Sequence, residues 1–193
     1  CALCCGRRCV SGRRSGAEDV RFYEHSGIDF IALGRAIVKR GVLGQKSAGG
    51  GSTITQQLAK QLYSGTAHSV MERLLQKPIE WVIAVKLERN YTKDEIIAMY
   101  LNYFDFLHNA VGIKTAANTY FSKEPKDLSV TESAVLIGLC KNPSYFNPVR
   151  YPERSTERRN VVLHQMTKAG YLTDAEYEKY SKEPLNLHFH VAD

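Results

Sequence analysis

The residues best suited to chemistry begin at Ala17–His25, A-E-D-V-R-F-Y-E-H, where Glu18 and Asp19 stand just ahead of Phe22, Tyr23 and His25. Carboxylates set against apolar surface can have their pKa values raised by burial, which is how a general acid or base is kept near working pH. The same stretch also fits a plain helix start, with acids near the positive end of the helix dipole and the aromatics as core. A second carboxylate, Glu80, shares one face of a predicted helix with Lys77, Ala84 and Glu88. At about 100° per residue that places it beside a cation and among small neighbours. As a surface feature, Lys77 and Glu80 are only an i, i+3 pair worth a few tenths of a kcal/mol. Between these stretches Gln56, Gln57 and Lys60 form a polar strip on consecutive turns.

These residues need elements to hold them. Gly27 to Val42 is apolar at helical spacing and wider than one core-facing stripe. It reads either as a buried helix or as one dipping into a lipid surface, with Arg35, Lys39 and Arg40 meeting phosphate. Gly49–Gly51 predict a flexible loop, after which Ser52 or Thr53 caps a helix carrying Ile54, Leu58 and Leu62. The loop is not a Walker loop, since Gly-Lys-Ser/Thr is missing in the right frame. From Glu72 to Asn102 two helices are expected. Pro78 is read as lying in a first turn, with Ile79, Val82, Ile83 and Leu87 as the core stripe. Thr92 and Glu95 form a capping box for the second helix, and Ser129 and Glu132 one for a helix ending near Cys140. A helix after Asn109 ends near Ser122–Pro125, the proline loop 142–148 is not helical, and helices follow at Pro152–Ala169 and Thr173–Tyr180. Leu185 to Asp193 alternates like a strand.

Composition narrows the classes. The chain has 193 residues, 44% apolar and 24% charged, enough for one substantial core with a smaller lobe. No run of about eighteen apolar residues occurs. Of 26 basic residues, Arg7, Arg8, Arg13 and Arg14 lie in the first sixteen positions, leaving 22 against 20 acids in the remainder. A basic head on a near-neutral body suits a membrane surface or a phosphate-bearing ligand, and there is no nucleic-acid motif. Cys1, Cys4, Cys5 and Cys9 crowd the head without a second ligand pair at zinc spacing, while Cys140 reads as a core thiol.

Taken in order, the motifs are E-D-V-R-F-Y-E-H, then G-G-S-T-I-T-Q-Q-L-A-K, then Q-K-P-I-E-W with K-L-E-R-N-Y-T-K-D-E-I-I-A-M-Y-L-N, then G-I-K-T-A-A-N-T-Y-F-S-K and R-R-N-V-V-L. Together they resemble the peptidoglycan glycosyltransferase domain (glycosyltransferase family 51) of class A penicillin-binding proteins and monofunctional transglycosylases. Five motifs in family order are far more specific than any one of them.

The resemblance implies a mainly helical, lysozyme-like domain at 17–182, with a membrane-facing lobe at about 27–51. It implies an atypical head at 1–16 outside the fold and a linker or strand from 183 to 193. Its activity would be polymerisation of lipid II into β-1,4 glycan with inversion. Glu18 matches the general base and Glu80 the second carboxylate, acting on the departing pyrophosphate directly or through a divalent cation, Mg2+ or Mn2+, with no organic cofactor. Arg35, Lys60, Arg73 and Lys77 match cations for the pyrophosphate; Asp19, Phe22, His25, Ser52, Thr53, Gln56 and Gln57 would position sugars or brace the base. Implied partners are lipid II, the growing glycan, the membrane and other cell wall synthesis proteins, with no nucleic acid. The implied location is the outer face of the cytoplasmic membrane. Gln76 stands where the family commonly has Arg, and Ser122 where it has Gly. The head matches neither the apolar approach nor the spanning helix that precedes the first motif. A lysozyme-like hydrolase is the alternative, because paired carboxylates also describe glycan cleavage; a non-catalytic glycan- or lipid-binding module is another.

Overall fold

The computed structural model describes residues 22–38, 51–63 and 69–191. They form eight α-helices: α1 (Phe30–Ile37), α2 (Ile54–Tyr63), α3 (Val70–Asn90), α4 (Lys93–Tyr103), α5 (Ile113–Phe121), α6 (Val130–Leu139), α7 (Pro152–Lys168) and α8 (Asp174–Lys182). Among the described residues the only β-pairing is a single bridge between Asp105 and Val111, so the mainly helical expectation holds. No described helix is long and apolar enough to cross a membrane. The head, residues 39–50 of the expected lobe, and Glu18 and Asp19 lie outside the described residues.

Two compact units are present, 22–96 and 97–191, and the boundary falls within α4. In the first, α2 packs on α3. Asp29 caps α1 by accepting from the Ile31 and Ala32 amides at 3.0 and 2.9 Å. That helix is not buried: Phe30 is 70% and Ile31 65% exposed. Helix α3 corrects two expectations. It begins at its cap Ser69, so Pro78 is an interior residue. Lacking an N–H, Pro78 leaves the Leu74 carbonyl without its helical donor. The face shared by Lys77, Glu80, Ala84 and Glu88 turns inward, with Glu80 and Ala84 buried. Of the expected core stripe Leu87 is buried, whereas Ile79 and Val82 are 57% and 56% exposed. Apolar periodicity identifies a helix but does not say which face turns inward when paired charges take the inner one.

In the second unit α6 is buried from Thr131 to Leu139, packed by α5 and α7, with α8 on α7. Both expected capping boxes form, Thr92 with Glu95 and Ser129 with Glu132, and Thr173 with Glu176 adds a third. Cys140 is buried as expected. Leu107, His108 and Asn109 are consecutive non-glycine residues at positive φ (68°, 53° and 61°). That left-handed turn is held by the Asp105 carboxylate accepting from the Leu107 amide at 2.8 Å.

The tail from Leu185 is not the expected strand. It runs extended against the end of α5, where the amides of His188 and His190 donate to the carbonyls of Tyr120 and Thr119 at 3.0 and 2.9 Å. Ser122, left-handed at φ 54°, donates to the His188 carbonyl at 3.0 Å, which gives the serine at this turn a bonding role glycine lacks. Arg159, 1% exposed, fastens the start of the tail. Its guanidinium donates to the carbonyls of Glu183 at 2.7 Å and Ser181 at 3.0 Å, and burial lowers its pKa from the usual value. We predict that Arg159→Leu, which orphans those carbonyls, lowers stability by roughly 2–4 kcal/mol in thermal or denaturant unfolding. A loss below about 0.5 kcal/mol, the size of an ordinary surface change, would refute the clamp.

Candidate active site

The first unit gathers its polar groups around Gly27. The Gly27 carbonyl accepts from Thr53 Oγ1 at 2.7 Å and Gln56 Nε2 at 3.3 Å, and its amide donates to His25 Nδ1 at 3.2 Å. Thr53 also caps α2, taking the Gln56 amide on its hydroxyl at 3.2 Å, which settles the choice between Ser52 and Thr53. His25 meets Phe22 edge to face, with centroids 6.0 Å apart. The first and second motifs thus meet at one residue, His25 through the Gly27 amide and Thr53 and Gln56 through its carbonyl. Only glycine fits there. Its φ is 96°, and a Cβ would stand 2.9 Å from the backbone of Ala84 on α3.

One turn from Ala84 along α3 lies Glu80, 1% exposed. Lys77 Nζ donates to Glu80 Oε2 at 2.7 Å and to Ser52 Oγ at 3.2 Å, so the third motif is tied to the residue before the α2 cap. Glu80 Oε1 is buried with no hydrogen-bond partner in the protein. An ionised carboxylate accepts at both oxygens, so this one keeps acceptor capacity for something the protein does not supply. The lysine, 29% exposed at its side chain, holds the charge and also faces solvent. A carboxylate with one oxygen tied to an ammonium and the other open can steer a cation, a hydroxyl proton or a water beside a leaving phosphate.

Three residues at the other end of this face had no role in the sequence reading. Glu88 accepts from Thr55 Oγ1 at 2.6 Å and from Lys93 Nζ at 2.8 Å. Lys93 also donates to the His25 carbonyl at 2.6 Å and lies 4.4 Å from the centre of the Phe22 ring. The available signal was the shared face of Glu80 and Glu88, with Lys93 just past the corner at which α3 ends.

Other expected residues take varied places. Arg35 is exposed in the last turn of α1, while Gln57 and Lys60 are half-buried on α2. Arg73 lies on α3, but its side chain, like Glu18 and Asp19, is outside the described residues. Among the described residues no three His, Cys, Asp or Glu side chains converge as a metal site. Glu80 Oε1 offers one hard oxygen, which suits Mg2+ only where phosphates and water supply the other ligands.

The family model for Transglycosylase matches residues 15–167, a span that takes in all five motifs. The chain belongs to the transglycosylase family. Penicillin-binding protein 1F of Bacillus subtilis (strain 168) is 44% identical over 171 residues, covering 89% of this chain and 23% of that protein. Penicillin-binding protein 1A of Pseudomonas aeruginosa is 40% identical over 175 residues, covering 91% and 21%. A crystal structure of penicillin-binding protein 1A from Haemophilus influenzae matches 70% of this chain and 17% of that one, with 30% identity and a TM-score of 0.49. The chain spans about a fifth of the length of these relatives. Within this transglycosylase the junction of motifs at Gly27 makes a direct prediction. Gly27→Ala is expected to cost roughly 1–3 kcal/mol, read as a lower melting temperature, because the methyl meets α3 backbone and the φ is unfavourable. An unchanged melting temperature would show that the close approach is not a constraint.

Proposed function

We propose that this transglycosylase chain polymerises lipid II, joining disaccharide-peptide units into β-1,4 glycan with release of the lipid pyrophosphate. The observation that carries the reading is buried Glu80, held by Lys77 through one oxygen and open at the other, in the stretch Q-K-P-I-E-W that resembles the family's third motif. A sugar hydroxyl is a weak nucleophile. Glu18 would take the proton from the acceptor 4-hydroxyl as its oxygen attacks the donor's anomeric carbon. The bond from that carbon to phosphate breaks as the new bond forms on the opposite face, so configuration inverts. Charge developing on the pyrophosphate is met by Lys77, with Arg35, Lys60 and Arg73 as further cations, while Glu80 orients Lys77. Were a divalent cation to take part, Glu80 Oε1 would be the residue atom to hold it, and the ion would supply Lewis-acid charge for the departing pyrophosphate. Ser52, Thr53, Gln56, Gln57, His25, Phe22 and Asp19 position sugars or brace the base.

The substrate is lipid-linked, so the enzyme must work at a bilayer surface. Phe30 and Ile31 on α1 and Val38 at its C-cap are 70%, 65% and 52% exposed, which supports interfacial contact, with Arg35 able to meet lipid phosphate. The proposed setting is the outer face of the cytoplasmic membrane, alongside other cell wall synthesis proteins.

Incubation with labelled lipid II in detergent, with and without magnesium, and polymer sizing on a gel, tests the reading. Long glycan is expected; glycan release from purified walls without polymer would favour the hydrolase instead. Glu18→Gln should abolish polymerisation, and Glu80→Gln should lower kcat by about 10²-fold or more, with circular dichroism unchanged in both. Retained turnover in either variant would remove that carboxylate from its role.

A further inference from the structure

The geometry points to a positioning device for this same site, and the inference rests on the glycosyltransferase reading: the Lys93–Glu88 pair locks the Phe22–Gly27 turn to α2 and α3. Lys93 is the first residue of α4, and Glu88 lies in the last turn of α3, so the pair bridges the corner between the two helices. Their side chains are 19% and 5% exposed. Each polar direction of the ammonium is used. Nζ reaches the His25 carbonyl at 2.6 Å and both Glu88 oxygens at 2.8 Å, and it lies over the Phe22 ring. Glu88 in turn accepts from Thr55 at 2.6 Å, one residue before Gln56.

Three chain segments are therefore pinned at one ion pair, and each carries motif residues. The Phe22–His25 turn begins three residues after Asp19 in the same motif. Helix α2 carries Gln56, which holds the Gly27 carbonyl. Helix α3 carries Lys77 and Glu80, and Glu88 lies eight residues beyond Glu80, about 12 Å along the helix. A compact ammonium with three donors fits this junction, whereas a planar guanidinium would not reproduce its contacts. Without the pair, the His25 carbonyl loses the Lys93 donor and the turn leading to Gly27 is held less tightly to α3 and α4. Lys93 and Glu88 are positioning residues, since neither is placed against substrate. Displacements of about 1 Å between reacting groups cost on the order of 10²-fold in rate, so a loosened turn is felt in kcat.

The test compares Lys93→Met, Glu88→Gln and the double variant with the parent chain, all at a temperature where melting curves show full folding. The double variant removes both charges, so it leaves no uncompensated buried ion to unfold the protein. In hydrogen exchange, amides of residues 22–29 and 53–57 should exchange at least about tenfold faster in all three, with α6 and α7 unchanged. With lipid II, kcat should fall about 10- to 100-fold while KM stays within about twofold, and the double variant should be no worse than the poorer single. Unchanged exchange in those segments overturns the inference. So does kcat within about twofold of the parent, or single losses that multiply in the double variant. A parent chain that makes no polymer, with the predicted exchange pattern present, counts against the glycosyltransferase reading and for the lock.

Discussion

Taking a carboxylate out of water on the inner face of a helix requires a cation close by, and the 22–96 unit depends on meeting that requirement twice. Glu80 is held by Lys77 at 2.7 Å and Glu88 by Lys93 at 2.8 Å, both on the side of α3 that turns inward. Burial without these partners would cost several kcal/mol per ion, so the lysines are conditions of the fold. The two pairs differ in one respect. Glu88 uses both oxygens on protein donors, while Glu80 leaves Oε1 without one. A carboxylate with all its capacity used is a strut; one with capacity left over can act on a ligand.

The remaining contacts of this unit follow from that placement. The inner face of α3 is narrow at Ala84, which lets the Gly27 backbone approach until only a hydrogen fits between them. That approach brings the Gly27 carbonyl within reach of Thr53 and Gln56, and the capping role of Thr53 fixes where α2 begins. Residues from three motifs far apart in sequence are thereby held by a few short bonds rather than by one rigid element. In 97–191 an α6 buried from Thr131 to Leu139 and the Arg159 clamp do comparable work for α7, α8 and the tail.

Much of this was legible in the sequence, for definite reasons. The capping boxes at Thr92 and Ser129 are local chemistry and form as read. The Lys77–Glu80 pair follows from helical spacing, and the family follows from five ordered motifs. The failures are equally physical. Periodicity could not tell that α3 hides its charged face and exposes Ile79 and Val82, because burial of an ion pair depends on partners from elsewhere in the chain. Pro78 suggested a helix start, but the capping serine nine residues earlier overrides it. Lys93 had no part in the sequence reading, since its partners His25 and Phe22 lie about seventy residues away. The alternating tail resembled a strand because one side of it packs, although its amides bond helix-end carbonyls rather than a sheet.

The division of labour between the two buried carboxylates is tested most directly by carbon-13 NMR of their labelled side-chain carboxyls, with lipid pyrophosphate added in detergent. If Glu80 faces the leaving group and Glu88 is a strut, the Glu80 signal moves with ligand concentration while that of Glu88 stays in place. A shift at Glu88 with Glu80 unmoved would contradict the assignment and place the chemistry at the other end of α3.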